Sequence, residues 1–401
     1  MNTQTKHYAT ITAGYWAFTL TDGAIRMLVV LYFHLLGYSP LEVAMLFLFY
    51  EFFGIVTNLV GGWLGARLGL NVTMHIGMAL QIIALLMLTV TDSMLSVVYV
   101  MLAQALSGIA KDLNKMSAKS GVKSLVKTAK DDPKLFKWVA VLTGSKNALK
   151  GVGFFLGAFL LDLFGFRSAL LVLAAGLLVV LLITYGLLPH EMGKAKNKPK
   201  FSQVFSQSRE INWLSAARFF LFGARDIWFV VALPVFLYEK LGWSFSQVGS
   251  FIALWVIAYG IVQALTPKLL RQHQPTGRSA SLLAFVLALV PAGIALALMQ
   301  GWNPSTTIII GLMVFGVVFA INSAVHSYLI LAYAEHDNVA LNVGFYYMAN
   351  AGGRLTGTVL SGLIYQQAGM VACLWVSGVF VLVAMGLSLP LKETLIKSNY
   401  F

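Results

Sequence analysis

Two lysines lie four residues apart in a stretch that is otherwise apolar and small, TGSKNALKGVGFFLG at 143–157. On a helix Lys146 and Lys150 share one face, and Gly153 and Gly157 continue that face at helical spacing. A charged side chain at the centre of a bilayer costs at least about 2.5–3.5 kcal/mol on insertion scales, so such groups normally face a protein interior or a water-filled cavity. Two ammonium groups on one face predict a site for an anion.

The composition predicts the element that must position these lysines. The chain has 401 residues, of which 59% are hydrophobic and 11% charged, with a mean hydropathy of +0.80, whereas soluble proteins are roughly a quarter charged. At roughly 20 apolar residues per crossing, the length accommodates about twelve membrane-spanning helices. We therefore expect an all-α integral membrane protein with a six-helix bundle at 1–189, a polar, Lys-rich linker at 190–212 and a second six-helix bundle at 213–401.

The basic residues are distributed unevenly, and this decides what the net charge of +13 means. Most Lys and Arg residues fall on alternate connections between spans, whereas the opposite connections hold only Arg167 and Lys240. This positive-inside pattern predicts that both termini are cytoplasmic, and it argues against a nucleic-acid partner. The basic connection at 112–137 is either an amphipathic helix on the anionic inner leaflet or a segment whose basic residues serve only to orient the protein in the membrane.

The second half of the chain repeats the first. A shift of 205 places LGYSPLEV at 36–43 on LGWSFSQV at 241–248, and a shift of 204 places Lys146 and Lys150 on Asn350 and Arg354. Two six-helix halves related in this way, with a site where they meet, are the architecture of major facilitator transporters. The segment GGWLGARLGLN at 61–71 resembles the loop signature of that superfamily in part, because its usual acidic and paired basic positions are apolar or neutral here.

Charges within the predicted spans are the candidate ligands. Asp22 and Arg26 are four apart, so they either neutralise each other or form a pair that opens in one conformation. Arg225 and Asp226 are adjacent, about 100° apart around a helix, so we expect Arg225 to be free for cargo. Arg218 is predicted to extend towards the cytoplasmic surface in a structural role. Glu51 is either a proton carrier or a counter-ion of an interior lysine.

These considerations predict two sets of site residues. The predicted substrate ligands are Arg26, Lys146, Lys150, Arg225 and Arg354. The predicted coupling or gating residues are Asp22, Glu51 and Asp226. Guanidinium groups bind phosphate-like oxyanions bidentately and lysines add point charge, so the set favours an organophosphate or a related oxyanion as a small anionic substrate.

Several other functions lack their sequence motifs. The chain contains no GxxxxGK[ST] loop for an ATP-driven pump, and no HExxH or GxSxG motif, so we expect neither an enzyme nor a cofactor. Cys373 is the only cysteine, which excludes an intramolecular disulfide and a thiolate metal cluster. Transport is then expected to be secondary, driven by a gradient or by exchange.

Four segments carry a closer resemblance: YWAFTLTDGAIRMLVVLYFHLLGYSP at 15–40, FLFYEFFGIVTNLVGGWLGARLGLN at 47–71, ALSGIAKDLNKMSAKS at 105–120 and LTGSKNALKGVGFFLG at 142–157. Together they resemble the organoarsenical efflux permeases of the major facilitator superfamily, the ArsJ type. The resemblance implies export of 1-arseno-3-phosphoglycerate, which glyceraldehyde-3-phosphate dehydrogenase makes from arsenate, and hence arsenate resistance. We expect a monomer in a bacterial inner membrane. An importer or exchanger of another organophosphate or carboxylate is the alternative.

Overall fold

The structure is a computed structural model that describes residues 3–38, 46–124, 132–189, 208–243, 245–270, 274–334 and 338–391. Its α-helices in the first half are α1 (Thr3–Leu35), α2 (Leu48–Leu68), α3 (Leu70–Met87), α4 (Val97–Ser124) and α5 (Asp132–Leu187). In the second half they are α6 (Arg209–Phe229), α7 (Ala232–Glu239), α8 (Phe245–Leu269), α9 (Gly277–Met299), α10 (Pro304–Tyr333) and α11 (Val339–Ser388). A 3₁₀ turn, Asp92–Met94, precedes α4.

These helices account for the twelve predicted spans. Among the described residues, eight helical stretches are long and apolar enough to cross a membrane by length and composition, and two of them contain 54 and 50 residues. Each of these two is long enough for two crossings, since one takes about 20 residues. With α6 and α7 forming one span, and with α2 and α4, which are not among the eight stretches, the described helices provide twelve segments. Helices satisfy their own backbone hydrogen bonds, as a bilayer requires.

Glycines divide the two longest helices at equivalent positions. Gly165 within α5 has φ 74°, and Gly369 within α11 has φ 72°. L-residues rarely adopt this conformation, so a glycine there ends one helical segment and starts the next without steric strain. Gly37 and Gly242, which the shift of 205 aligns, also have positive φ, at 89° and 68°. The backbone therefore repeats at the positions where the sequence repeats.

The chain forms two compact units. The first comprises Met1–Lys127, Ser145–Ser206 and Glu335–Met348, and the second comprises Thr128–Gly144, Gln207–Ala334 and Ala349–Phe401. The division at 1–189, 190–212 and 213–401 stays a prediction, and residues 190–207 of the predicted linker lie outside the described part of the chain.

Each unit has its own apolar core. The core of the first unit includes Ile25, Leu28 and Phe33 of α1. That of the second unit is aromatic, and Trp228 meets the ring of Phe315 edge to face with centroids 5.2 Å apart.

The fourth helix is longer than expected. The sequence places the end of the fourth span near residue 114, with a basic connection at 112–137, whereas α4 continues as one helix to Ser124. Lys119 and Lys123, predicted to lie on the membrane surface, are 4% and 8% exposed. The expectation of a surface helix is therefore wrong up to Ser124, and residues 125–131 lie outside the described part of the chain.

Candidate functional site

A buried ion pair joins α1 to α5 in the first unit. The Nζ atom of Lys150 lies 3.2 Å from Oδ2 of Asp22, whose side chain is 2% exposed. The hydroxyl of Tyr50, on α2, donates a hydrogen bond of 2.5 Å to the other carboxylate oxygen. Asp22 is thus held from two helices, and Lys150 is the cation that compensates its charge.

Small residues allow α1 and α5 to approach closely at this pair. A methyl group added to Gly23 would lie 2.6 Å from the carbonyl oxygen of Lys150, and one added to Gly153 would lie 2.7 Å from the carbonyl oxygen of Leu20. Small residues at such crossings let two backbones come into contact within a membrane. The glycines on the lysine face of α5 are therefore packing residues that bring Lys150 to Asp22.

A second group of charges surrounds Glu51. Arg26 lies 3.7 Å from one carboxylate oxygen of Glu51, and Lys111 lies 3.9 Å from the other. The guanidinium of Arg26 also lies 4.9 Å from the centroid of the Phe47 ring, within range of a cation–π interaction. Asp22 and Arg26, four apart on α1, therefore have different ion-pair partners, and the alternative in which they neutralise each other is wrong.

The second unit contains a carboxylate held by two arginines. Asp226 is fully buried; Arg225 approaches its Oδ1 atom at 2.5 Å, and the Nε atom of Arg354 lies 3.1 Å from its Oδ2 atom. The expectation that Arg225 would be free of its neighbour is wrong, because the long arginine side chain folds back and spans the angle between adjacent positions. Arg225 and Arg354 converge on one carboxylate, as they would on an oxyanion of similar size.

The ion pairs of the two units occupy equivalent positions. The shift of 204 that places Lys150 on Arg354 also places Asp22 on Asp226. Both pairs join the first helix of a half to its fifth, and Gly153 and Gly357 lie at the same distance beyond the cation. The acidic half of this repeat was missed by sequence reasoning, although the shift contains the signal.

Arg218 takes part in a buried polar network instead of reaching the surface. Its Nε atom donates to Oδ1 of Asn350 at 2.8 Å, and its NH1 atom donates to the hydroxyl of Ser323 at 3.2 Å. Its guanidinium lies 3.8 Å from the centroid of the Phe222 ring, and the residue is 3% exposed. The prediction that Arg218 extends outwards is wrong, because polar acceptors and an aromatic face are available inside the unit.

The last predicted ligand, Lys146, is half-buried, and its ammonium donates to Oδ1 of Asn147 at 3.3 Å. It lies one turn before Lys150 on α5, as the spacing predicted. The residue aligned with it, Asn350, accepts the hydrogen bond from Arg218. A polar group therefore occurs at this position in both halves, with a charge in the first half only.

Among the ion pairs of the described residues, more cations than carboxylates take part in each cluster. In the first unit the cluster contains Arg26, Lys111, Lys115 and Lys150 with Asp22, Glu51 and Asp112. In the second unit it contains Arg225 and Arg354 with Asp226. Both clusters are arranged to hold a carboxylate against basic groups, and an anion of similar geometry would meet the same donors. Among the described residues no group of His, Cys, Asp and Glu side chains has a metal-binding arrangement.

Solved structures with the same fold come from several transporters. A human organic anion transporter (TETRAN) gives a TM-score of 0.75 at 16% identity, over 97% of this chain and 100% of its own. A bacterial homologue of the iron transporter ferroportin, in its outward-facing state, gives 0.75 at 14% identity, over 97% and 99%. The E. coli fucose:proton symporter gives 0.73 at 11% identity, over 96% and 98%. At such identities the similarity shows the fold alone.

No curated protein sequence matches the chain. The family model described as Major Facilitator Superfamily matches residues 11–328, which is most of the chain. The predicted all-helical fold is confirmed by this match and by the structural similarities. The chain therefore belongs to the Major Facilitator Superfamily and is a multi-pass secondary transporter of small solutes, not an enzyme.

Proposed function

We propose that this transporter exports an organoarsenical phosphate ester, 1-arseno-3-phosphoglycerate, from the cytoplasm and thereby confers arsenate resistance. Its location would be a bacterial inner membrane, with both termini in the cytoplasm. Its functional partner would be glyceraldehyde-3-phosphate dehydrogenase, which makes the ester. The observation that carries the proposal is the pair of basic clusters, one in each unit, in which cations outnumber carboxylates.

The geometry around Asp226 supports an oxyanion as cargo. Arg225 and Arg354 approach the two oxygens of this carboxylate from different helices. Arginine forms short, charge-assisted hydrogen bonds to carboxylate and to phosphate with similar geometry. The same two arginines would therefore offer suitable donors to a phosphate or an arsenate group.

The first unit supports an anion through a different set of groups. Lys150 supplies a point charge, and Tyr50 supplies a neutral donor, both directed at Asp22. These donors match the oxygen atoms of an anion such as the phosphate or the arsenate of the proposed ester.

The arsenic-containing part of the proposal rests on the resemblance to organoarsenical permeases, together with the shortage of sulfur. Trivalent arsenic, as a soft acceptor, is expected to need thiolate ligands. Cys373 is the only cysteine of the chain and is buried. A pentavalent ester, which presents oxygen atoms, matches the side chains of the clusters.

The proposal is tested in cells that lack their own arsenic exporters. Co-expression of the transporter and the dehydrogenase should increase growth on arsenate and arsenic efflux, whereas tolerance of arsenite should not change. The variant Arg354→Ala at matched membrane abundance is the negative control. Equal efflux with and without the dehydrogenase, or protection against arsenite, would contradict the proposed cargo.

The alternative, import or exchange of another organophosphate or carboxylate, draws on the same basic clusters. Radiolabelled 3-phosphoglycerate and vesicles of defined orientation separate the two functions. Saturable uptake of this compound into right-side-out vesicles, without arsenate resistance in cells, would favour the alternative.

A further inference from the structure

Four lysines recur at every fourth residue of the second part of α4: Lys111, Lys115, Lys119 and Lys123. Side chains four apart lie on one face of a helix, one above the other. With a rise of about 1.5 Å per residue, neighbouring lysines are about 6 Å apart along the axis and the row is about 18 Å long. We call this row the lysine ladder.

The lysine ladder is buried at Lys119 and Lys123 and half-buried at Lys111 and Lys115. The side chains of Lys111 and Lys115 are 12% and 14% exposed, and Lys119 and Lys123 are 4% and 8% exposed. Burying an ammonium costs several kcal/mol even after relaxation, and like charges four apart on a helix repel one another. Membrane topology alone would place such lysines in water, so their position inside the protein indicates another role.

Aromatic and acidic groups connect the middle of the ladder. The ammonium groups of Lys115 and Lys119 lie 4.6 and 5.0 Å from the centroid of the Tyr347 ring. Lys115 also lies 2.5 Å from Oδ1 of Asp112, whose other oxygen lies 3.7 Å from Lys111. Lys111 and Lys115 therefore share Asp112, and Lys115 and Lys119 share Tyr347, so a charge near one of these three lysines is close to the next.

The Lys111 end of the ladder reaches the ion pair of α1 and α5. Lys111 lies 3.8 Å from the centroid of the Tyr50 ring. The hydroxyl of that ring donates to Asp22, which pairs with Lys150 at 3.2 Å. A continuous series of contacts thus leads from Lys119 to the predicted ligand Lys150.

We propose that the lysine ladder is the path by which the anionic cargo moves between the Ser124 end of α4 and the Asp22–Lys150 pair. The inference rests on the proposed function in that the cargo is an oxyanion. Binding that is shared among several closely spaced groups holds an ion without trapping it at any one of them. In the predicted orientation the Ser124 end is cytoplasmic, so the ladder would collect cargo from the cytoplasm.

The test measures access to the ladder with charged thiol reagents and does not require the proposed cargo. In the full-length protein with Cys373→Ser, Lys119→Cys is introduced and its reaction with an anionic sulfonatoethyl methanethiosulfonate is compared with that of the cationic trimethylammonium reagent. The exposed Lys137, on α5, provides the matched control Lys137→Cys. Basic clefts concentrate anions about tenfold or more. We expect the ratio of anionic to cationic rates to be about tenfold higher at position 119 than at position 137.

Two further variants separate a path from a local effect. Adding Lys123→Gln to Lys119→Cys should lower the rate ratio severalfold, whereas adding Lys137→Gln, which removes the same charge elsewhere, should leave it unchanged. Millimolar 3-phosphoglycerate should slow the anionic reagent at position 119 and have no effect at position 137. Lys123→Cys provides a second reporter if Lys119→Cys does not reach the membrane.

The outcomes distinguish this proposal from the proposed function. If neither ladder cysteine reacts in membrane-inserted protein, or if the cationic reagent reacts faster there, the path is wrong, even where arsenate resistance is normal. If the ladder is anion-selective but the wild-type protein gives no arsenate resistance, the path stands and the proposed cargo is wrong.

Discussion

At the scale of the residue, each cluster sets a buried carboxylate against a cation from another helix. Asp22 faces Lys150, and Asp226 faces Arg354 as well as its neighbour Arg225. Removing one member of a buried pair leaves the other charge uncompensated, which costs about 3–5 kcal/mol. A mutant that loses only the cation therefore confounds loss of binding with loss of stability, so the compensated double mutant is the informative control.

We expect Lys150→Ala and Arg354→Ala to abolish arsenate resistance. Lys146→Ala should have a milder effect, because the aligned residue in the other half is the neutral Asn350. Resistance is measured as growth on arsenate at matched membrane abundance. Adding Asp22→Ala to Lys150→Ala should restore abundance without restoring resistance; normal resistance in both single mutants would refute their assignment as ligands.

Replacing arginine by lysine separates charge from geometry. Arg225 uses its Nε and NH2 atoms on the same oxygen of Asp226, and a lysine in its place would keep the charge but lose the second donor. If each of these arginines binds the cargo through two donors, lysine loses one hydrogen bond to a charged group, worth about 1.5–3 kcal/mol, so arsenic efflux should fall at least about tenfold in Arg225→Lys and in Arg26→Lys. Near-normal efflux in both variants would identify these arginines as counter-ions only.

At the scale of the element, one helix crossing in each half brings the two members of its ion pair together. A methyl group on Gly357 would lie 2.5 Å from the carbonyl oxygen of Gly223, and one on Gly157 would lie 2.5 Å from that of Ala24. The backbone cannot yield to such a contact without moving the helix. The positions of Lys150 and Arg354 therefore depend on glycines one or two turns away.

Gly357→Ala tests this dependence, with Gly362→Ala on the same helix as its control, since a methyl group at Gly362 has no atom within 4 Å. Gly357→Ala should lower the temperature of thermal unfolding in detergent by several degrees and reduce efflux, because α11 must move away from α6. Gly362→Ala should leave the unfolding temperature unchanged or raise it slightly. Equal unfolding temperatures for the two variants would show that the crossing tolerates a methyl group.

At the scale of the whole molecule, one helical plan occurs twice with different chemistry. The acid and the cation recur at a shift of 204, but the first half has lysine and tyrosine around its acid and the second has two arginines. The backbone repeats at Gly165 and Gly369 with nearly the same φ. The arrangement of helices is therefore common to both halves, while the predicted ligands differ between them.

The orientation of the molecule is also open to a direct measurement. The excess of Lys and Arg on alternate connections predicts a cytoplasmic C-terminus. A fluorescent protein fused after Phe401 should fluoresce, whereas alkaline phosphatase fused at the same position should be inactive. An active phosphatase fusion would reverse the orientation and with it the end of α4 from which the ladder collects cargo.

Much of this architecture follows from the sequence alone, because membrane insertion depends on local composition. Apolar runs of sufficient length predict spans wherever they occur, and the shift of 204 predicts that α5 and α11 are equivalent. The same shift contained the equivalence of Asp22 and Asp226. The sequence also placed two cations, Lys150 and Arg354, at aligned positions within predicted spans.

The tertiary structure decided which charges meet. Pairing depends on distances between helices remote in sequence, so spacing along one helix did not reveal that Asp22 prefers Lys150 to Arg26. Local charge density likewise predicted a surface helix after residue 112. In the structure α4 instead extends to Ser124, and packing buries Lys119 and Lys123. A sequence specifies where charges lie on each helix, but only the packing of helices determines the partners that make burial of those charges tolerable.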